Sequence, residues 1–152
     1  MDTWWQQVIA MTSYSIKAQR GFSLLELMIA LVIVAIVAAI ALPGYQEQTR
    51  KTRRSVCQAD MVELASFMQR FYTENNRFDQ DAGGTAVALP FTQCPKDNPD
   101  KYYNITLTNL NTSTYTLSAA PISGAAQAGD SCGTLTLAHT GAKGHSSGTD
   151  CW

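Results

Sequence analysis

Two groups of side chains in this sequence have the types and spacing for chemistry: one carboxylate inside an apolar run, and four cysteines beyond it. From Phe22 to Leu42 there are 21 residues, of which only Ser23 and Glu26 are polar. A run of 18 or more such residues reads as a membrane span rather than a core helix. A carboxylate there is costly unless it is paired or reaches the headgroups, so Glu26 points to ion pairing within an apolar phase. Cys57, Cys94, Cys132 and Cys151 form an even set in a small domain, the pattern of an oxidising compartment. Four cysteines allow three pairings. No Cys-x-x-Cys spacing is present, and His139 and His145 are far in sequence from Cys57 and Cys94, so no metal site and no cofactor is expected.

Other polar residues read as structural. His139 and His145 flank Gly141 and Gly144 with no nucleophile or carboxylate motif beside them. Asp79/Asp81 and Asp97/Asp100 lack the twelve-residue calcium-loop pattern and its terminal Glu. Asn104-Ile105-Thr106 and Asn111-Thr112-Ser113 match a glycosylation sequon, a short pattern of low specificity. Arg50, Lys51, Arg53 and Arg54 read as a solvated helix face, or as contacts to anionic headgroups or to a neighbour's acidic face. No catalytic constellation emerges, and the chain is read as a non-enzyme.

The elements that must position these residues follow from periodicity. With 152 residues there is room for one domain beside the span. Pro43-Gly44 is expected to kink or loosen the helix. Beyond it Val56, Cys57, Met61, Leu64, Ala65, Met68, Phe71 and Tyr72 recur at helical spacing, which predicts a helix to about Thr73 that ends at Asn75-Asn76. Residues 77–101, with Gly83-Gly84, Pro90, Pro95 and Pro99, read as a loop. Alternating runs at Tyr102–Leu107, Thr114–Ala119 and Gly133–Ala138 predict antiparallel strands, with a turn at Asn109–Ser113 and a longer loop over Pro121–Ser131. The tail from His139 to Trp152 is expected to be irregular, with Trp152 capping the core or meeting a partner.

Arg20-Gly21, then Phe22, Glu26 four residues later and Leu42-Pro43-Gly44-Tyr45 together resemble the type IV prepilin signature, shared by type II secretion pseudopilins. An ordinary secretory signal is cut after its apolar segment. The resemblance implies a cut before it, between Gly21 and Phe22, by a prepilin peptidase, with Phe22 then N-methylated. Residues 1–21 would be the leader, 22–48 the transmembrane and assembly helix, and 49–152 the periplasmic head. Met11–Gly21 alone would make a short basic leader, so Met11 is an alternative initiator to Met1. The fold implied is α+β: a long helix packed on a 3–4-stranded antiparallel sheet with a disulfide-bounded C-terminal loop. Cys132 and Cys151 bracket the tail as such a loop would, and Cys57, on the helix face toward the head, could reach Cys94.

The resemblance also assigns roles. Glu26 would pair with the α-amino group of Phe22 on a neighbouring subunit and set register, and Pro43 would be part of the assembly segment. Removing residues 1–21 leaves 9 Lys+Arg against 11 Asp+Glu, a formal charge of −2, so a direct nucleic-acid partner is not expected. Orientation carries a conflict. Only Lys17 and Arg20 precede the span while four basic residues follow it, against the positive-inside rule. The cysteines and the prepilin resemblance place the head in the periplasm instead. The tail from Cys132-Gly133-Thr134 to Asp150-Cys151-Trp152 resembles the PilE-type minor pilins of type IVa pili. The function implied is a minor subunit of a type IV pilus, anchored in the inner membrane and then carried on the pilus. Partners would be other major and minor pilins, the prepilin peptidase and the inner-membrane assembly platform, in support of assembly, twitching motility and adhesion. A major pilin and a type II secretion pseudopilin are the alternatives.

Overall fold

The computed structural model describes residues 21–152, so the leader, with Met1, Met11, Lys17 and Arg20, lies outside the described residues. One helix, α1, runs Leu24–Asn75, and β1 (Gln93–Cys94), β2 (Tyr103–Thr108), β3 (Thr116–Pro121), β4 (Leu135–Ala138) and β5 (Lys143–His145) follow. The chain divides into two compact units, Met1–Ala41 and Leu42–Trp152. In the first, the described residues are helical from Leu24 onward and their apolar side chains are exposed on every side. That helix is long and apolar enough to cross a membrane.

In the second unit the helix has an inner face. Arg54, Cys57, Asp60, Met61, Leu64 and Met68 are buried, at the three- and four-residue spacing of one stripe. Val56 and Tyr72, expected on that face, are exposed: Val56 sits about 100° of helix rotation from buried Cys57, and Tyr72 is 37% exposed although its ring centroid lies 4.5 Å from that of Phe78. Pro43 lies inside α1, and the helix runs through it unbroken. At the far end Asn76 adopts φ 56° and its N–H donates to the Tyr72 carbonyl at 2.7 Å, which caps the helix in the left-handed conformation that Asn tolerates.

The sheet is a five-stranded antiparallel meander in sequence order. Tyr103 and Ile105 in β2, Leu117 and Ala119 in β3, and Leu135 and Leu137 in β4 are buried on one face, and Tyr115 joins them just before β3. These meet Cys57, Met61, Leu64, Met68 and Phe78 in a single core. The register puts Ile105 opposite Ala119 and Leu117 opposite Leu137, so the apolar side chains stack across strands. Two short strands extend the expected sheet. β1 borders β2 inside the loop after the helix, and β5 borders β4 inside the tail. Gly144 makes the second possible, because a Cβ there would lie 2.6 Å from the Thr136 hydroxyl oxygen.

Leu64→Ala should cost the head about 2–5 kcal/mol, through lost burial and an incompletely closed cavity. Val62→Ala, at a half-exposed position on the opposite side of the helix, should stay within about 0.5 kcal/mol. Urea unfolding of the two variants checks this, and equal midpoints would mean that the buried stripe has been misplaced.

Candidate functional site

The expected cleavage junction and assembly segment lie at the start of α1. Gly21 and Phe22 precede the helix, and Phe22 is 82% exposed. Ser23 is its N-cap residue, with its carbonyl accepting from the Leu27 N–H at 3.1 Å. Glu26 falls in the first turn, where the helix dipole favours negative charge. Leu24, Leu25, Leu27, Met28 and Ile29 around it are all exposed. Apolar surface of that extent needs lipid or a neighbouring helix. The partner expected for Glu26 belongs to a second subunit, so a single chain cannot display that pair.

In the head, Cys57 is bridged to Cys94 with Cα atoms 5.3 Å apart, and Cys132 to Cys151 at 5.7 Å. The first bridge ties β1 to the helix. The second closes 19 residues of tail, worth on the order of 3 kcal/mol in the chain-entropy account. Trp152 then lies back on the sheet edge. Its indole N–H donates to the Gly144 carbonyl at 2.7 Å, and the Lys143 ammonium stands 5.2 Å from its ring centroid.

A buried polar network joins helix, sheet and loop. Arg54 donates through Nε to Asp130 Oδ2 at 3.2 Å and through Nη2 to Asp130 Oδ1. The Tyr103 hydroxyl donates to the same carboxylate at 2.5 Å. Gln127 Nε2 donates to the Tyr103 oxygen at 2.9 Å and to the Arg50 carbonyl at 3.1 Å, while its buried Oε1 has no partner among the described residues. Burial by itself would raise the Asp130 carboxyl. The hydrogen bonds from Arg54, Tyr103 and the Cys132 amide outweigh it and hold the carboxyl below its ordinary range. The same bond with Asp130 raises Arg54, and burial first, then Asp130, pushes the Tyr103 phenol well up. Asp60 behaves oppositely: burial raises its carboxyl although the Lys96 amide donates to it at 2.9 Å.

Arg54 therefore leaves the solvated basic face to which the sequence assigned it. The signal was available in its phase, since Arg54 continues the Cys57–Met61–Leu64–Met68 stripe by one step. Asp130 carried no such signal. The remaining polar residues are accounted for locally. Asp81 accepts from the Gly83 and Thr85 amides at 2.8 Å each, and Asp79 pairs with Arg77 at 2.6 and 2.7 Å. His139 packs near Phe78 and Tyr115, whereas His145 is exposed beside the Ser147 carbonyl. Among the described residues no group of three or more His, Cys, Asp or Glu is placed to hold a metal.

With this geometry in place, the comparisons with known proteins agree on a family. A profile described as "Type IV minor pilin ComP, DNA uptake sequence receptor" matches residues 43–136, more than half of the chain. A second, described as "Prokaryotic N-terminal methylation motif", matches residues 16–42. The chain belongs to this type IV pilin family. Relatives include the type IV major pilin protein PilE1 of Neisseria gonorrhoeae, 34% identical over 55% of this chain and 48% of that protein. A fimbrial protein of Pseudomonas aeruginosa is 46% identical over 33% of this chain and 34% of its own length. The type II secretion system core protein G of Pectobacterium carotovorum subsp. carotovorum is 33% identical over 56% of each. The chain thus spans about a third to just over half the length of these relatives. Among solved structures, the non-core minor pilin PilV of Neisseria meningitidis shares the fold at a TM-score of 0.50 and 23% identity, over 68% of this chain and 93% of that one.

Acid should act on the head in opposite directions through its two buried carboxylates, Asp60 and Asp130. Asp60, raised in the folded state, takes up its proton first and adds stability as pH falls through its folded value. Asp130, lowered, contributes stability that is complete above about pH 4 and is lost as pH falls through its folded value. Asp130→Asn should cost about 3–5 kcal/mol at pH 7 by leaving Arg54 buried and unpaired. It should also flatten the fall in stability below about pH 4. Urea unfolding across pH 2–7 checks both, and an unchanged acid limb in the variant would contradict the role given to Asp130.

Proposed function

We propose that the chain is a minor pilin, a structural subunit that enters a type IV pilus through its apolar helix. The observation that carries this reading is the joint match of a methylation motif over residues 16–42 and a minor-pilin profile over 43–136, which meet within the helix Leu24–Asn75. Prepilin peptidase cuts between Gly21 and Phe22, releasing the leader of residues 1–21 and creating the amine that is then methylated. Residues 22–48 hold the subunit in the inner membrane as a single pass, with the head of residues 49–152 in the periplasm. At the assembly platform the helix exchanges lipid for neighbouring major and minor pilins, and apolar burial at roughly 25 cal/mol per Å² supplies the cohesion. Head-to-tail contacts that do not close extend the fibre. Glu26 reads axial register against the Phe22 amine of a subunit already in place. The pilus so primed supports twitching motility and adhesion.

Two other readings rest on particular observations. Similarity to a type II secretion core protein favours a pseudopilin, against which stand four cysteines and the absence of a twelve-residue calcium-loop pattern. The profile's own description favours a receptor for DNA. Against that, the mature charge is −2, and Arg54, Arg77 and Lys96 are paired with Asp130, Asp79 and Glu63.

Non-reducing mass spectrometry of filaments sheared from cells separates these roles. A trace subunit beginning at methylated Phe22 is the expected result, dominance would make it a major pilin, and confinement to the inner membrane would favour a pseudopilin. Glu26→Ala should leave cleavage largely intact while lowering the subunit's level in sheared pili. Normal incorporation of that variant would refute the pairing role of Glu26.

A further inference from the structure

The first turns of the head carry more positive charge than its core consumes. Arg54 is taken up by Asp130, but Arg50 and Arg53 are only half-buried. With Tyr45, Gln46, Thr49 and Ala126 they line a groove of about 370 Å³. Both arginines pack against other parts of the head. The Arg50 side chain lies against the backbone of Gly129, where a Cβ would come within 3.3 Å of Nη2, and Gln127 ties the Arg50 carbonyl at 3.1 Å. Arg53 lies over the Tyr102 ring, 4.6 Å from its centroid. Positioned guanidinium groups lose little rotamer freedom on binding an anion, and their forked donors match phosphate oxygens. The carboxylate facing Arg50 is Glu47, at 3.9 Å and exposed, a spacing at which pairing is weak.

Position along the chain selects the anion. The apolar run ends at Leu42, so at 1.5 Å per residue Tyr45 to Arg53 follow it by about 5 to 16 Å of helix. The headgroup layer extends roughly 5–8 Å beyond the hydrocarbon on each side. Arginine stems reach back along apolar surface toward it. We propose that this groove binds the phosphate of an anionic phospholipid headgroup while the subunit waits in the membrane. The inference rests on the membrane-anchored reading above. It gives the head a fixed seat at the bilayer surface, and transfer into a filament empties the groove.

The test uses the mature chain of residues 22–152, inserted into vesicles of phosphatidylcholine alone or with an equal share of phosphatidylglycerol, then extracted for native mass spectrometry. Phosphatidylglycerol should be retained over phosphatidylcholine on the order of tenfold, as two arginines near the surface provide. Arg50→Gln/Arg53→Gln should bring retention close to parity. Arg70→Gln/Lys143→Gln, which removes equal charge elsewhere on the head, should keep the preference, and circular dichroism should show both variants folded. Parity in the wild type, or preference retained in Arg50→Gln/Arg53→Gln, overturns the proposal. Displacement of the lipid by millimolar inorganic phosphate would make the groove a free-anion site, and displacement by a short DNA duplex at physiological salt would make it a nucleic-acid site; either overturns the lipid assignment. Failure of the wild type to insert into either vesicle would defeat the anchored reading itself, and so is distinct from loss of lipid preference alone.

Discussion

Arg54 and Asp130 stand 76 positions apart in sequence, and the head is organised around their meeting. Two charges taken out of water gain from each other only if their remaining hydrogen-bonding capacity is met. That requirement recruits Tyr103 from β2 and the Ser131 hydroxyl and Cys132 amide from the loop. It fixes the rotation of the helix as well. With Arg54 turned inward, Cys57, Met61, Leu64 and Met68 fall on the same face and meet the sheet. Because Cys132 follows two residues after Asp130, the pair also aims the bridge to Cys151, and through it the tail that carries Trp152. A buried pair of this kind is a stronger device for specifying one arrangement than for adding net stability.

The helix has to serve two environments with one backbone. Within residues 24–41 it is apolar on every side apart from Glu26, which leaves no preferred face and suits lipid or a ring of neighbouring helices. Past residue 50 it narrows to a stripe, and the opposite face turns polar. Only the second pattern can build a core with the chain's own sheet. The first must be completed by another molecule, so the subunit is built to be incomplete alone.

Much of this was legible in the sequence because it repeats. Tyr103 and Ile105, Tyr115 and Leu117, and Leu135 and Leu137 alternate, and all six are buried. The apolar run and Glu26 needed no context at all. What escaped has no period. β1 and β5 hold two and three residues and exist only because β2 and β4 offer edges to them, with Gly144 small enough to come close. Val56 misled because it is apolar and adjacent to Cys57, yet one step of helix rotation carries it to solvent. Arg54 was hidden by company: in a run with Arg50, Lys51 and Arg53 it looked solvated, and its partner lay in a loop without pattern. Local composition gives the average behaviour of such a cluster and not the exception within it.

That cluster also stood against the positive-inside rule, and the folded head supplies a reason for retaining it. Orientation in the membrane is decided before the head folds, so burying Arg54 afterwards does not change the count that insertion reads. A sequence under no other demand would place those charges on the far side. Here three of the four make contacts within the head: Arg54 meets Asp130, Arg53 lies over Tyr102, and Arg50 lies along Gly129 with its carbonyl held by Gln127, while Lys51 is exposed. Moving the charges would relieve the topological conflict and dismantle the junction between helix and head. The conflict read from sequence is thus matched by a local structural need at the junction of helix and head.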